Sequence, residues 1–181
     1  MTFLVIGGSG FIGLNVIEEL LSSSEQVISL DKSPIPPAAM NVFSKLPGKF
    51  KSIQLDITNT EDVDRVISGG DVDVIFYGAA ITAGVKREIS DPLSVFDVNV
   101  IGLLNVLKAA CRAPSVNKII NISSGSAYGN GGFGDTGWKD SLDEFGTRED
   151  PQTLYAISKY TGERVALRMG ELLKKRVINV R

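Results

Sequence analysis

An apolar run, Phe3-Leu4-Val5-Ile6, stops abruptly at Gly7-Gly8-Ser9-Gly10-Phe11-Ile12-Gly13, and no other feature restricts the fold of this 181-residue chain as strongly. Four consecutive apolar residues cut off by glycine describe a strand buried on both faces. Beyond the glycines, Ile12, Val16, Ile17, Leu20 and Leu21 recur at helical spacing, with Glu18 and Glu19 opposite. Strand, glycine turn and amphipathic helix in that order predict the first βα unit of a parallel sheet. Glycines at 7, 10 and 13 allow a tight turn, close approach of a pyrophosphate and close helix–strand packing, and the helix N-terminus adds unpaired N–H groups. A glycine triplet standing alone reads equally as an ordinary turn. Its place between strand and helix is what sets this one apart.

The same alternation runs on. Strands are expected at residues 27–31, 50–55, 72–76, 118–122 and 176–180, and helices at 61–67, from Ser90-Asp91-Pro92 to about Arg112, and at 154–174. Ser33-Pro34-Ile35-Pro36-Pro37 reads as loop, and residues 125–150 as a long glycine-rich loop of the kind that carries function. Parallel strands need crossovers, so the fold class is α/β: a doubly wound parallel sheet, the Rossmann arrangement, forming one domain over 1–181.

Composition narrows the chemistry. Hydrophobic residues at 43 % and charged residues at 22 % suit a soluble core, and a net charge of −2 offers no basic field to nucleic acid or an anionic membrane. Cys111 is the single cysteine and histidine is absent, so internal disulfides, His triads and His or thiolate metal sites are excluded and no metal is expected. Acid–base work falls to Asp, Glu, Lys or Tyr. Without a basic leader or an unbroken apolar stretch near the ~18 residues of a membrane span, a cytoplasmic location is expected.

Asp31 closes the second strand, where a carboxylate can accept both ribose hydroxyls of an adenosine and repel a 2′-phosphate, selecting NAD over NADP. The neighbouring Lys32 softens that discrimination. Asp56-Ile57 follows the third strand at the edge where ligands bind; Asp56 reads either as an adenine contact or as the cap of the helix starting near Thr60. Tyr155 and Lys159 stand four apart on one helix face, where the ammonium would stabilise a phenolate and make Tyr155 a usable base; an exposed pair of no consequence is the alternative. Ser123-Ser124-Gly125-Ser126, ending the fifth strand, can bring hydroxyls to the same crevice and tips the balance toward a site.

Taken with Gly78-Ala79-Ala80, Asn99 and Ala127-Tyr128-Gly129, these residues resemble, in family order along essentially the whole chain, the extended short-chain dehydrogenase/reductases, in their NAD-dependent sugar-nucleotide epimerase/dehydratase group. The resemblance implies NAD as cofactor, held by Gly7, Gly10, Phe11, Ile12 and Gly13 at the pyrophosphate, Asp31 at the ribose, Asp56 and Ile57 at the adenine, and Ala79 and Ala80 along the fourth strand. Asn99 would support the site from the long helix. Lys159 would bind the nicotinamide ribose and tune Tyr155, the base; Ser124 would orient the reacting oxygen, with Ser126 beside it at the substrate. Two departures stand out. Many relatives carry His where Tyr77 or Gly78 stands, and Ser124-Gly125-Ser126 lacks the acidic residues of sugar dehydratases, which favours an epimerase or dehydrogenase.

The implied substrate is a nucleotide-sugar, with a non-nucleotide alcohol or carbonyl, or NAD binding without catalysis, as alternatives. Family members run to about 300 residues, so the part that shapes the sugar pocket is expected to lie outside this chain. The family commonly dimerises through the two long helices, and a homodimer through them is the corresponding expectation here; they carry apolar residues on more than one side (Val98, Leu103, Leu104, Val165, Leu172), compatible with sheet packing plus a partner.

Overall fold

The computed structural model describes residues 1–82, 84–128 and 151–181. Six strands, β1 (Thr2–Ile6), β2 (Gln26–Asp31), β3 (Lys49–Gln54), β4 (Val74–Tyr77), β5 (Lys118–Ile122) and β6 (Arg176–Val180), form one parallel sheet in the order β3-β2-β1-β4-β5-β6. The expected architecture is therefore the observed one. The chain winds outward from β1 to β3, returns to the other side of β1 as β4, and continues outward. That reversal leaves a crevice at the carboxyl ends of β1 and β4, where doubly wound sheets bind ligands.

Alternation along the central strands builds two cores. Leu4, Ile6, Ile75 and Tyr77 face one side, where they meet Val63 and Ile67 of α3 (Thr60–Ser68), Leu103, Val106 and Leu107 of α6 (Leu103–Cys111) and Ala166 of α7 (Leu154–Leu173). Val5, Val27 and Phe76 face the other, against Ile17 and Leu21 of α1 (Phe11–Ser22) and Phe43 of α2 (Pro37–Phe43). Strands buried on both faces need no alternation of polarity, which is why their sequences read as unbroken apolar runs.

Local differences from the sequence expectation have physical causes. Pro37 is not loop but opens α2, where a missing N–H costs nothing, and α2 is held down by Phe43 edge-on to Phe50 at 5.2 Å. A further short helix, α4 (Val85–Ser90), lies in what had read as connection. Ile12 is half exposed, because the buried face of α1 runs through Gly13, Ile17 and Leu21.

The expected long helix after Asp91 is interrupted. Asp91 accepts the Ser94 N–H at 3.4 Å and caps α5 (Pro92–Phe96), but Asp97–Gly102 forms a π-helical turn before α6 begins. Inside this turn the Val98 carbonyl accepts a hydrogen bond from the Tyr77 hydroxyl at 2.7 Å, and a Cβ on Gly102 would lie 3.0 Å from that hydroxyl. Burial pushes the Tyr77 phenol above its ordinary range, so it acts here as a neutral donor. By length and mean hydropathy Pro92–Cys111 could cross a bilayer, although Asp97 and Lys108 break its apolar run; more than half of its most apolar stretch is buried inside the fold, as befits a core helix. Of the apolar residues expected to serve sheet packing plus a partner, Leu103 is 1 % exposed and belongs to the core, while Val98 and Val165 pack against it.

Tyr77→Phe removes the donor to Val98 without changing shape, and is expected to cost about 1–2 kcal/mol in urea denaturation with an unchanged slope.

Candidate active site

The crevice is built first from the β1–α1 turn. Gly7 has φ +81°, and a Cβ there would meet the Ala79 backbone nitrogen at 2.6 Å; one on Gly13 would lie 2.2 Å from the Gly7 carbonyl. Turn, helix and the exit of β4 thus touch backbone to backbone, and only hydrogen fits between them. The first intrahelical bond of α1 runs from Leu14 N–H to the Gly10 carbonyl at 2.9 Å, so the amides of Phe11, Ile12 and Gly13 have no acceptor within the helix. Phe11 itself is 85 % exposed; its contribution is its backbone.

A cleft opens beside this turn, lined by Gly7, Gly10, Asp31, Lys32, Asp56, Ile57, Ala79 and Ala80 among others. Every one had been singled out from sequence. Asp31 also has a structural part in this cleft. Its Oδ2 accepts the Ser9 N–H at 3.0 Å and its Oδ1 the Ser33 N–H at 2.9 Å, which ties the glycine turn to the end of β2. Each oxygen keeps a second acceptor direction. Asp56 is not a helix cap: Asn59 caps α3 by accepting the Asp62 N–H, while Asp56 Oδ1 takes the Thr58 N–H at 2.9 Å and the Thr58 hydroxyl at 2.7 Å. Those two bonds, the backbone one first, hold its carboxyl below the usual carboxylate range.

Tyr155 and Lys159 lie outside that cleft lining, in the first turns of α7. The start of α7 is fixed twice: Thr153 Oγ1 accepts the Ala156 N–H at 3.0 Å, and Glu88 of α4 accepts the Leu154 N–H at 2.9 Å. Asn99, buried in the π turn, joins this helix to the cleft. Its Oδ1 accepts the Ile81 N–H at 2.7 Å, and its Nδ2 donates to the Ile81 carbonyl at 3.1 Å and to Ser158 Oγ at 2.9 Å. Ser158 in turn donates to the Tyr155 carbonyl at 2.7 Å. Asn99 therefore stands behind the cleft wall as a support.

Lys159 is only 4 % exposed, and burial lowers its pKa to about 8 against an opposing pull from Glu163. At neutral pH it is still mostly a cation. Glu163, also buried, accepts two bonds from the Arg181 guanidinium, at 2.8 and 2.7 Å, and that guanidinium lies 4.5 Å over the Tyr128 ring. Tyr128 ends the 3₁₀ turn at 125–128 that follows Ser124. Within it, Ser124 Oγ accepts from the Ser126 hydroxyl at 2.9 Å and the Ser126 N–H at 3.2 Å, which leaves the Ser124 proton for another acceptor. Gly129 and the glycine-rich residues up to 150 lie outside the described residues.

Sequence reasoning missed Ser158, Glu88, Glu163 and Arg181. Ser158 and Glu163 carried a weak signal, as polar residues on the inward side of α7; the partners of Glu88 and Arg181 are distant in sequence and only the fold brings them together.

The family model for the NAD dependent epimerase/dehydratase family matches residues 3–181. The chain belongs to this family. Among its relatives are UDP-glucose 4-epimerase of Mycolicibacterium smegmatis, 32 % identical over 168 residues (90 % of this chain and 49 % of the relative), and a decarboxylating sterol-4-alpha-carboxylate 3-dehydrogenase of Candida albicans, 32 % identical over 130 residues (71 % and 35 %). The crystal structure of a Thermus thermophilus UDP-glucose 4-epimerase complex with NAD superposes with a TM-score of 0.80 at 27 % identity, over 100 % of this chain and 54 % of that one. The chain spans about half or less of the length of these relatives. NAD is the cofactor of this epimerase/dehydratase family, and the residues present fit it: a glycine turn that any Cβ would fill, three uncommitted amides, and a carboxylate with spare acceptor directions at the end of β2.

Buried as a cation, Lys159 sets a linkage with pH. Its folded pKa is depressed, so between about pH 8 and the ordinary lysine value of 10.5 the unfolded chain holds a proton the folded chain has released, and stability rises with pH through that window. Below it both states are protonated and the cost of burying the charge is undiminished. Lys159→Met is therefore expected to be more stable than the wild type at pH 7, by about 1–3 kcal/mol, with the gap narrowing by pH 10; urea denaturation at the two pH values measures it.

Proposed function

We propose that this chain carries the NAD-binding and proton-transfer half of a nucleotide-sugar 4-epimerase, with Tyr155 as the base. The observation that carries the proposal is the buried Lys159 ammonium one helical turn beyond Tyr155, on a helix that Asn99 and Ser158 connect to the cleft wall. Bound NAD would supply a reversible hydride acceptor. The chain supplies the rest. Amides of Phe11, Ile12 and Gly13 meet the pyrophosphate and Asp31 the adenosine ribose. Tyr155 takes the proton of the sugar hydroxyl as its carbon gives up a hydride, leaving a ketone, and gives the proton back when hydride returns to the opposite face. Ser124 donates its free hydrogen to the reacting oxygen, and Lys159 keeps the developing phenolate in a positive field and meets the nicotinamide ribose. Ser126 orients Ser124 by donating to it.

The sterol dehydrogenase among the relatives supports a second substrate class, a non-nucleotide alcohol, in which hydride is kept rather than returned. Thermal melts separate the two, since only a true ligand raises stability as its concentration passes its dissociation constant; UDP-glucose and a hydroxysterol are the probes. The proposal includes a cytoplasmic homodimer through the outer faces of the 92–111 helix and α7, where Leu93, Ile101, Leu167 and Leu172 are exposed.

Tyr155→Phe is expected to leave NAD affinity nearly intact and to lower hydride transfer from UDP-glucose by at least about a hundredfold, read from reduced-nicotinamide absorbance; equal turnover would remove Tyr155 from the mechanism. Asp31→Ala is expected to weaken NAD more than NADP. An unchanged ratio of the two affinities in calorimetry would show that the carboxylate only ties Ser9 to Ser33.

A further inference from the structure

The turn after β3 presents Asp56 and Ile57 to the cleft, yet its shape is set from behind by a residue that touches neither the cleft nor the catalytic helix. Asn105, buried on α6, accepts the Thr60 hydroxyl at 3.0 Å through Oδ1 and donates through Nδ2 to the carbonyls of Ile57 at 3.2 Å and Thr58 at 3.3 Å. Two of these bonds go to the 56–58 turn and the third to Thr60, where α3 begins directly behind it. An amide set between Leu104 and Val106 in a core helix is tolerated only when its polar atoms are satisfied, and here the turn and the first residue of α3 satisfy them. The same helix makes room for the turn as well: a Cβ on Gly102 would sit 2.8 Å from Ile57 Cγ2, so the isoleucine beds directly on the backbone. On its outer side the turn is closed by the two Thr58 bonds to Asp56. The other cleft wall, at Ile81, hangs separately on Asn99.

We propose that Asn105 is a positioning residue for the adenosine end of the cofactor cleft, holding the 56–58 turn in the shape an adenine requires while making no contact with the ligand. The proposal rests on the assignment of NAD to this cleft. Because Asn105 serves one wall only, its loss acts on one end of the dinucleotide, whereas a general loosening of the fold would act on both.

Calorimetry with AMP, NAD and nicotinamide mononucleotide distinguishes these. Asn105→Ala is expected to weaken AMP and NAD by a common factor, roughly five- to tenfold, and to leave nicotinamide mononucleotide unchanged. Thr60→Val, which removes a single bond to Asn105 and leaves the core helix intact, is expected to shift AMP and NAD in the same sense by a smaller factor, and carries the test if Asn105→Ala does not fold. Unaltered AMP affinity in the folded variant, or an equal loss for the mononucleotide, overturns the inference. A wild-type chain that binds neither AMP nor NAD would overturn the cofactor assignment, and this inference with it.

Discussion

Everything at the carboxyl edge of the sheet depends on one backbone contact, that of the Gly7–Gly13 turn with the strand exit at Gly78-Ala79. A left-handed φ at Gly7 and the absence of a Cβ at Gly7 and Gly13 let three backbone segments meet where side chains would hold them apart. That contact brings the start of α1, with its uncommitted amides, to the point where the strand order reverses. It also places Asp31 within reach of Ser9, so the turn is anchored by a charge-assisted bond at its open side. The cleft is an outcome of close approach rather than of any large side chain.

Much of this was legible in the sequence because it is encoded locally. The β1–α1 unit, the carboxylate ending β2 and the buried apolar central strands all depend on residues near one another in the chain, and each lies where the pattern placed it; Tyr155 and Lys159 share α7 as expected but lie outside the cleft lining. Ambiguity remained where one residue type serves two ends: Asp56 as cap or cleft residue was settled by Asn59, which took the capping role. The interrupted helix was not legible. Its sequence has good apolar periodicity throughout, and the π turn coincides with a tertiary bond from Tyr77, on a strand, to the Val98 carbonyl. A substitution noted only as a departure from the family pattern at position 77 thus has a structural partner 21 residues away.

Charge distribution around α7 follows the same division between local and distant. Lys159 is buried, and the carboxylate that offsets the cost, Glu163, lies one turn further on and is itself neutralised by Arg181 beyond β6. Because Arg181 also stacks on Tyr128, the serine turn after β5, α7 and the last strand share one electrostatic unit. Lone buried charges at these positions would be untenable; as a linked set they are compatible with a folded core.

Asn99, inside the π turn, and Asn105, just beyond it on α6, grip loops on opposite sides of the crevice from a single rod of backbone. Such an arrangement works like a common hinge pin. With both loops hung on one helix, the gap between them is set by the spacing of two side chains on the same rod rather than by two independent loop equilibria.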